Sequence, residues 1–311
     1  MTPKQRAIAV FEHRIPDHVP TFELEFQLTK ELFGKDYLTQ AVLDAAPSAD
    51  AQERLLQENA DLFAAVAERL EYDIVPLQGL WKQEHQVRQA QLLRERFGDT
   101  RMICAHGDCT MGIPNGEQMV EVSIRLAEEP DAVHTEQRRN LAGTLEHCKT
   151  LVDAGVDVFI NCADYCFNHG PFLSPSMFAE FVTPYLTQLH AGQRALGAYS
   201  IKHTDGNIMP ILDQLADSAP HALHSIDPMA GVDIAEVKRR IGDRVALCGN
   251  VNCALMQTGT DEEVIESARY CLTHAKPGGG YFFCTSNVPF KGLPLERYLL
   301  ILDVWKEMRA Y

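Results

Sequence analysis

The chain has 311 residues, 46% hydrophobic and 23% charged, enough to bury a large core in one or two α/β domains. Its 28 basic and 43 acidic residues leave a net charge of −15, which argues against nucleic acid or an anionic membrane surface as partner. Nine cysteines, an odd number spread from Cys104 to Cys284, read as reduced thiols rather than a disulfide frame. Met1–Arg6 shows no signal-peptide core and no apolar run approaches ~18 residues, so the expectation is a cytoplasmic, membrane-free protein.

After an N-terminal helical extension, the first strand-like run is Val19–Phe26, and the helical pattern Ala51–Leu70 follows. Strand-like runs at Tyr72–Leu77 and Arg101–His106 come next, then a Gly/Pro loop at Met111–Glu117 and a helix over Ala132–Ala154. Val156–Cys162 is the fourth strand. A helix over Pro175–Leu196, with Pro at its first position after Ser174, leads to the fifth, Ala198–His203. Helix Ile208–Leu215, strand Ala222–Ile226, helix Ile234–Ile241 and strand Val245–Gly249 continue the alternation. A capping box at Thr260–Glu263 opens helix Asp261–His274, and strand Tyr281–Ser286 and helix Pro294–Met308 close the chain. Gly155, Gly197 and Gly242 stand where helices should end before strands. Eight strands alternating with helices predict a single (β/α)8 TIM barrel over residues 1–311, with a doubly wound open sheet as the rival.

In such a barrel the chemistry lies at the C-terminal tips of the strands. The tips carry Glu23 and Glu25, His106 and Asp108, Asp164, His203 and Asp205, Asp227, Asn250 and Asn287, while the second strand begins at Tyr72-Asp73 and runs to Gln78. His203 and Asp205 are two apart, so on an extended strand they face the same way. They read either as a metal pair, or as an acid with its orienting partner, or as a backbone-bonded histidine beside a helix-capping aspartate. Glu23 and Glu25 also share a parity, which suggests a catalytic pair or one glutamate in the site and one in a polar network at the barrel floor. Asp164, Asp227, His106, Asp108 and Asn250 are candidates for substrate contact. The cysteine spacings lack the close C-x2-C of a structural zinc site, and Cys104, Cys248 and Cys284 fall within apolar strands. Lys276–Gly280 precedes a strand rather than opening a helix, so it reads as a turn rather than a phosphate loop.

The stretches Ala163–Tyr165, Gly170–Pro175, His203–Asn207, Ile226–Pro228, Gly231–Asp233, Gly249–Asn252, Gly278–Tyr281 and Pro294–Glu296 together resemble the uroporphyrinogen decarboxylase superfamily. The resemblance covers most of the chain, is strongest from about residue 155 onward, and implies a (β/α)8 barrel. It implies two chemistries. The decarboxylases grip a polycarboxylate with an early arginine-containing motif, and they hold pyrrole nitrogens with an aspartate near Asp73. Here Thr21–Gly34 contains no arginine, and Asn287 replaces their late histidine. The corrinoid-dependent methyltransferases that act on thiols bind zinc through His-x-Cys and a later cysteine, whereas the matching positions here are His203, Asp205 and Asn287. The methyltransferase components of O-demethylases are the more similar group. They move a methyl group from a methyl ether to a corrinoid (cobalamin) carried by a partner protein.

That resemblance implies a cytoplasmic methyltransferase acting on a small, methoxylated, aromatic donor, with a corrinoid protein as partner. His203, Asp205 and a glutamate from Glu23/Glu25 would hold the ether oxygen and its proton source, with Asp73, Asp164, Asp227, Asn250, Asn287 and His106 around the substrate. Zinc on His203 and Asp205 is an open reading, and pairing of barrels into a homodimer is a further expectation. The rival functions are decarboxylation of a tetrapyrrole or other small acid, and corrinoid or tetrapyrrole binding without catalysis.

Overall fold

Short apolar runs rich in β-branched and aromatic residues form a parallel sheet because both of its faces are covered. The computed structural model describes residues 1–311. Its strands are β1 (Ile74–Pro76), β2 (Met102–His106), β3 (Val158–Cys162), β4 (Cys166–Phe167), β5 (Gly170–Pro171), β6 (Tyr199–Thr204), β7 (Ala222–Ser225), β8 (Ala246–Val251) and β9 (Tyr281–Thr285). Seven of them pair in the order β1-β2-β3-β6-β7-β8-β9, all parallel, while β4 and β5 form a small antiparallel hairpin beyond the tip of β3. Curled and wrapped by helices, this is a TIM-barrel-like fold.

The expected first strand, Val19–Phe26, is not a regular strand. The segment still occupies the eighth place, joining the two ends of the sheet. Phe283 N donates to Pro20 O at 2.9 Å, Thr21 bridges Phe283, and Asp73 N donates to Thr21 O at 2.8 Å. Pro20 has no N–H to give, so a continuous ladder cannot run through this stretch. The other seven expected strands are found, with ends shifted by up to two residues.

Alternation along the strands sorts side chains into two layers. Ile74, Met102, Cys104, Val158, Ile160, Ile201, Ala222, Ala246, Cys248, Phe282 and Cys284 fill the barrel interior, and the opposite faces pack beneath the helices. The expected N-terminal extension is helix Pro3–Phe11, started by a Thr2/Gln5 capping box. It plugs the N-terminal end of the barrel with Ala7, Val10 and Phe11, and Phe11 stacks on Tyr199 with centroids 4.7 Å apart. The helix expected over Pro175–Leu196 is two, Pro175–Phe181 and Thr183–Ala195, because Pro184 cannot donate to the carbonyl one turn back. Gln83–Phe97 and Met119–Glu128 are further helices. No helix is long and apolar enough to cross a membrane.

Candidate active site

At the C-terminal mouth the tips of three neighbouring strands are tied together by one turn. Asp205, just past β6, donates its backbone N–H to Asp164 Oδ1 beyond β3 at 2.9 Å. The next residue, Gly206, donates its N–H to Asp227 Oδ2 beyond β7 at 3.1 Å. Gly206 has φ +84°, and a Cβ there would collide with the Cys166 carbonyl of the β4–β5 hairpin, so only glycine fits. Ser225 and Ile226, at the tip of β7, also have positive φ, 83° and 51°. For a β-branched residue this is a strained conformation, of the kind that clusters at functional sites. It brings Ser225 Oγ to donate to Asp205 Oδ1 at 2.7 Å. From the tip of β9, Asn287 Nδ2 donates to Asp205 Oδ2 at 2.5 Å.

His203 and Asp205 share the interior face, as their spacing predicts. His203 Nε2 lies 3.7 Å from Asp205 Oδ1 and 3.8 Å from Asp164 Oδ1. Its Nδ1 is 2.8 Å from Nδ1 of His224, the residue paired with it across β6 and β7. Burial above all, then the Lys202 charge and His106, pushes the His203 pKa down to about 3, with Asp108 opposing. Burial and His203 hold His224 far below the usual imidazole range. Both rings are therefore neutral near pH 7. Asp205 moves the other way. Burial, with the like charges of Asp164 and Asp227, lifts its pKa to about 6 although Ser225 and Asn287 favour the carboxylate. The mouth thus joins a carboxyl group poised to exchange a proton with a neutral imidazole.

Glu25 and His106 face each other on the far side of the mouth, with 3.9 Å between Oε1 and Nε2. Glu23 parts from Glu25, because the irregular first segment does not keep strand parity. It is buried in the outer layer, where Thr285 Oγ1 donates to it at 2.6 Å and Thr285 N at 3.2 Å. It belongs to a buried polar network with Thr285 and Tyr298 beneath the helices, beside the end of β9 and not at the barrel floor. Burial lifts its pKa to about 8 against the donors Thr285 and Tyr298. The unfolded chain releases this proton near 4.5, so ionisation weakens the fold progressively as pH rises from there to about 8. Glu23→Gln should therefore raise Tm by roughly 5 °C at pH 9 and change it little at pH 5. Melting curves at the two pH values would check this, and an equal shift at both would refute it.

Two expected substrate contacts lie elsewhere. Asp73 precedes β1, so it sits at the closed end of the barrel, where Arg6 Nη1 donates to it at 2.5 Å and Thr21 N at 2.9 Å. Asn250 would face the interior if alternation held along β8. The chain turns at Gly249 (φ 130°), and Asn250 instead donates to Ile226 O at 2.7 Å and accepts from Cys271 Sγ at 3.2 Å. It lines an outer groove of about 380 Å³, together with Val232, Ile234, Leu255 and Tyr270, that is separate from the mouth. Asp108 serves the loop after β2. It binds Lys202 Nζ at 2.7 Å and Thr110 Oγ1 at 2.6 Å, and the buried ammonium sits 4.1 Å over the Tyr165 ring.

Asp164, His203 and Asp205 each offer one ligand atom within 4.8 Å of the others, a set that could hold a cation. It lacks the thiolates that suit a thiol-activating zinc. Burial keeps the nearby thiols protonated, raising Cys166 to about 12. The residues present do not fit that zinc chemistry.

Sequence reasoning passed over His224 and Ser225. Alternation with Ala222 was the available signal for His224; the left-handed turn that aims Ser225 has no signature in its side chains.

The fold is TIM-barrel-like, and its mouth sets the Asp205 carboxyl beside the His203 imidazole. Residues 115–306 match the family described as Uroporphyrinogen decarboxylase (URO-D), and the chain belongs to that family. It is 25% identical over 188 residues to the uroporphyrinogen decarboxylase of Coxiella burnetii (strain Dugway 5J108-111), covering 57% of this chain and 48% of that protein. The match thus spans about half the length of that relative. Over 108 residues it is 32% identical to the methylcobamide:CoM methyltransferase MtaA of Methanosarcina barkeri, covering 35% of this chain and 30% of that one. A methyltransferase from Methanosarcina mazei shares the fold over 99% of both chains, with a TM-score of 0.77 at 17% identity.

Proposed function

We propose that this protein moves a methyl group from a small methoxylated substrate, an aromatic ether, to the Co(I) corrinoid of a partner protein. The observation that carries the reading is Asp205, with its raised pKa, beside the neutral His203 at a mouth without a thiolate ligand. The corrinoid would supply the nucleophile. The protein must deal with the leaving oxygen, which departs poorly unless it is protonated or its charge is stabilised. As the O–CH3 bond breaks, the electron pair stays on oxygen and takes the proton from the Asp205 carboxyl. The imidazole of His203 holds that oxygen, and Asn287 and Ser225 hold the carboxylate left behind. Asp164, Asp227, Glu25 and His106 line the space in which the substrate sits. The named activity of the Methanosarcina barkeri relative supports methyl transfer involving a corrinoid. The absence of arginine from Thr21–Gly34 speaks against gripping a polycarboxylate.

The test is a single-turnover assay without oxygen. Protein, Co(I) corrinoid (free or protein-bound) and a panel of methoxylated aromatics are mixed and followed by absorbance. Loss of the Co(I) spectrum with demethylation of one donor is the expected result. No change alongside an active corrinoid control, with CO2 released from uroporphyrinogen or another small acid, would replace this reading with decarboxylation.

A further inference from the structure

The histidine pair at the top of the barrel has a feature that methyl transfer does not by itself explain. His203 Nδ1 and His224 Nδ1 are 2.8 Å apart, so one of the two carries the shared proton. At the far side of His224, Nε2 is buried with no hydrogen-bond partner, in the apolar interior where the Phe22 ring centroid is 6.2 Å away. At the far side of His203, Nε2 faces the oxygens of Asp164 and Asp205 at 3.8 and 3.7 Å.

Two neutral arrangements satisfy the contact. If His203 donates, His224 must carry its other proton on Nε2, leaving an N–H buried without an acceptor, a rare condition in folded proteins. His203 would then turn a bare nitrogen lone pair toward two carboxylates. If His224 donates, its buried Nε2 is an unprotonated nitrogen among apolar groups, and His203 presents an N–H to the acids. The second arrangement is favoured at both ends of the pair.

We infer that His224 is a positioning residue that locks His203 in the tautomer with its proton on Nε2, so that the ring offers a hydrogen-bond donor to an oxygen atom in the mouth. The inference deepens the methyl-transfer reading, and its use in catalysis rests on that reading: the donor held ready is the one a leaving oxygen needs. The same lock removes the Nε2 lone pair that a metal would require.

Long-range 1H–15N correlation spectra of the 15N-histidine-labelled full chain read the tautomers directly, with no substrate or corrinoid present. Expected are a protonated Nε2 and bare Nδ1 for His203, and the reverse for His224. His224→Phe should release His203 into a mixture of tautomers. His224→Asn, whose Nδ2 can take the place of the donating Nδ1, should restore the lock. A wild-type His203 protonated on Nδ1 would overturn the inference, as would an unchanged His203 tautomer in folded His224→Phe. Should that variant fail to fold, the wild-type spectrum still decides. Failure of the methyl-transfer assay would leave these spectra unaffected, so the two readings fail separately.

Discussion

Replacing Asp205 with asparagine is expected to lower methyl transfer by roughly 10²–10⁴-fold, the usual contribution of a positioned general acid. The carboxyl is active in its protonated form, and its pKa is raised to about 6 by burial and by Asp164 and Asp227. Turnover should therefore hold steady below pH 6 and fall about tenfold per pH unit above it, until another step limits the rate. The asparagine variant should lose this dependence along with the rate. Turnover measured from pH 5 to 8 in both proteins checks the assignment. An unchanged rate in a correctly folded Asp205→Asn would remove Asp205 from the chemistry, and a variant that kept the wild-type pH profile would place the acid elsewhere.

Arg6→Met should cost about 3–5 kcal/mol at pH 8, because it leaves Asp73 buried and unpaired. Arg6 belongs to the N-terminal helix, and Asp73 is fully buried at the start of β1. Even with Arg6 present, burial outweighs the ion pair and lifts the Asp73 pKa to about 6. Without the guanidinium the carboxyl should rise further and take up a proton as the pH falls, so the penalty should be smaller at pH 5 than at pH 8. Denaturant unfolding at both values measures it, and the same loss at each pH would show that removing the guanidinium does not raise the Asp73 pKa. Activity at the opposite end of the barrel should survive in whatever fraction remains folded.

The contrast between these two aspartates shows what the order of residues conveys. Alternation places side chains on a face wherever the ladder is continuous, and it correctly puts His203 and Asp205 together on the inside of β6. Strand order then brings Asp164 and Asp227 to the adjoining tips. Asp73 stands at the start of its run, so its expected substrate contact rests on the resemblance to the decarboxylases' aspartate and not on a strand tip, and the structure keeps it at that start. Asn250, expected at the substrate, turns outward at Gly249 (φ 130°) although its pairing with β9 continues, and Glu23 falls to the network alternative because no ladder runs through Pro20 to keep the parity of Glu23 and Glu25. The reach of Asn287 to Asp205 across the mouth depends on barrel curvature, which no local pattern encodes.

A sheet of seven strands has two free edges, whereas a barrel has none, and the irregular segment 19–24 stands between those two conditions. It covers the outer sides of β1 and β9 with a few backbone hydrogen bonds instead of two full ladders. Amide hydrogen exchange should accordingly be slowest along β3, β6, β7 and β8 and fastest at this seam, which makes it the place where the closed ring first opens. The seam lies beside Glu25 but across the ring from His203. Breathing at this clasp would therefore widen the mouth on the substrate side while the acid–imidazole centre, on the best-paired strands, keeps its shape.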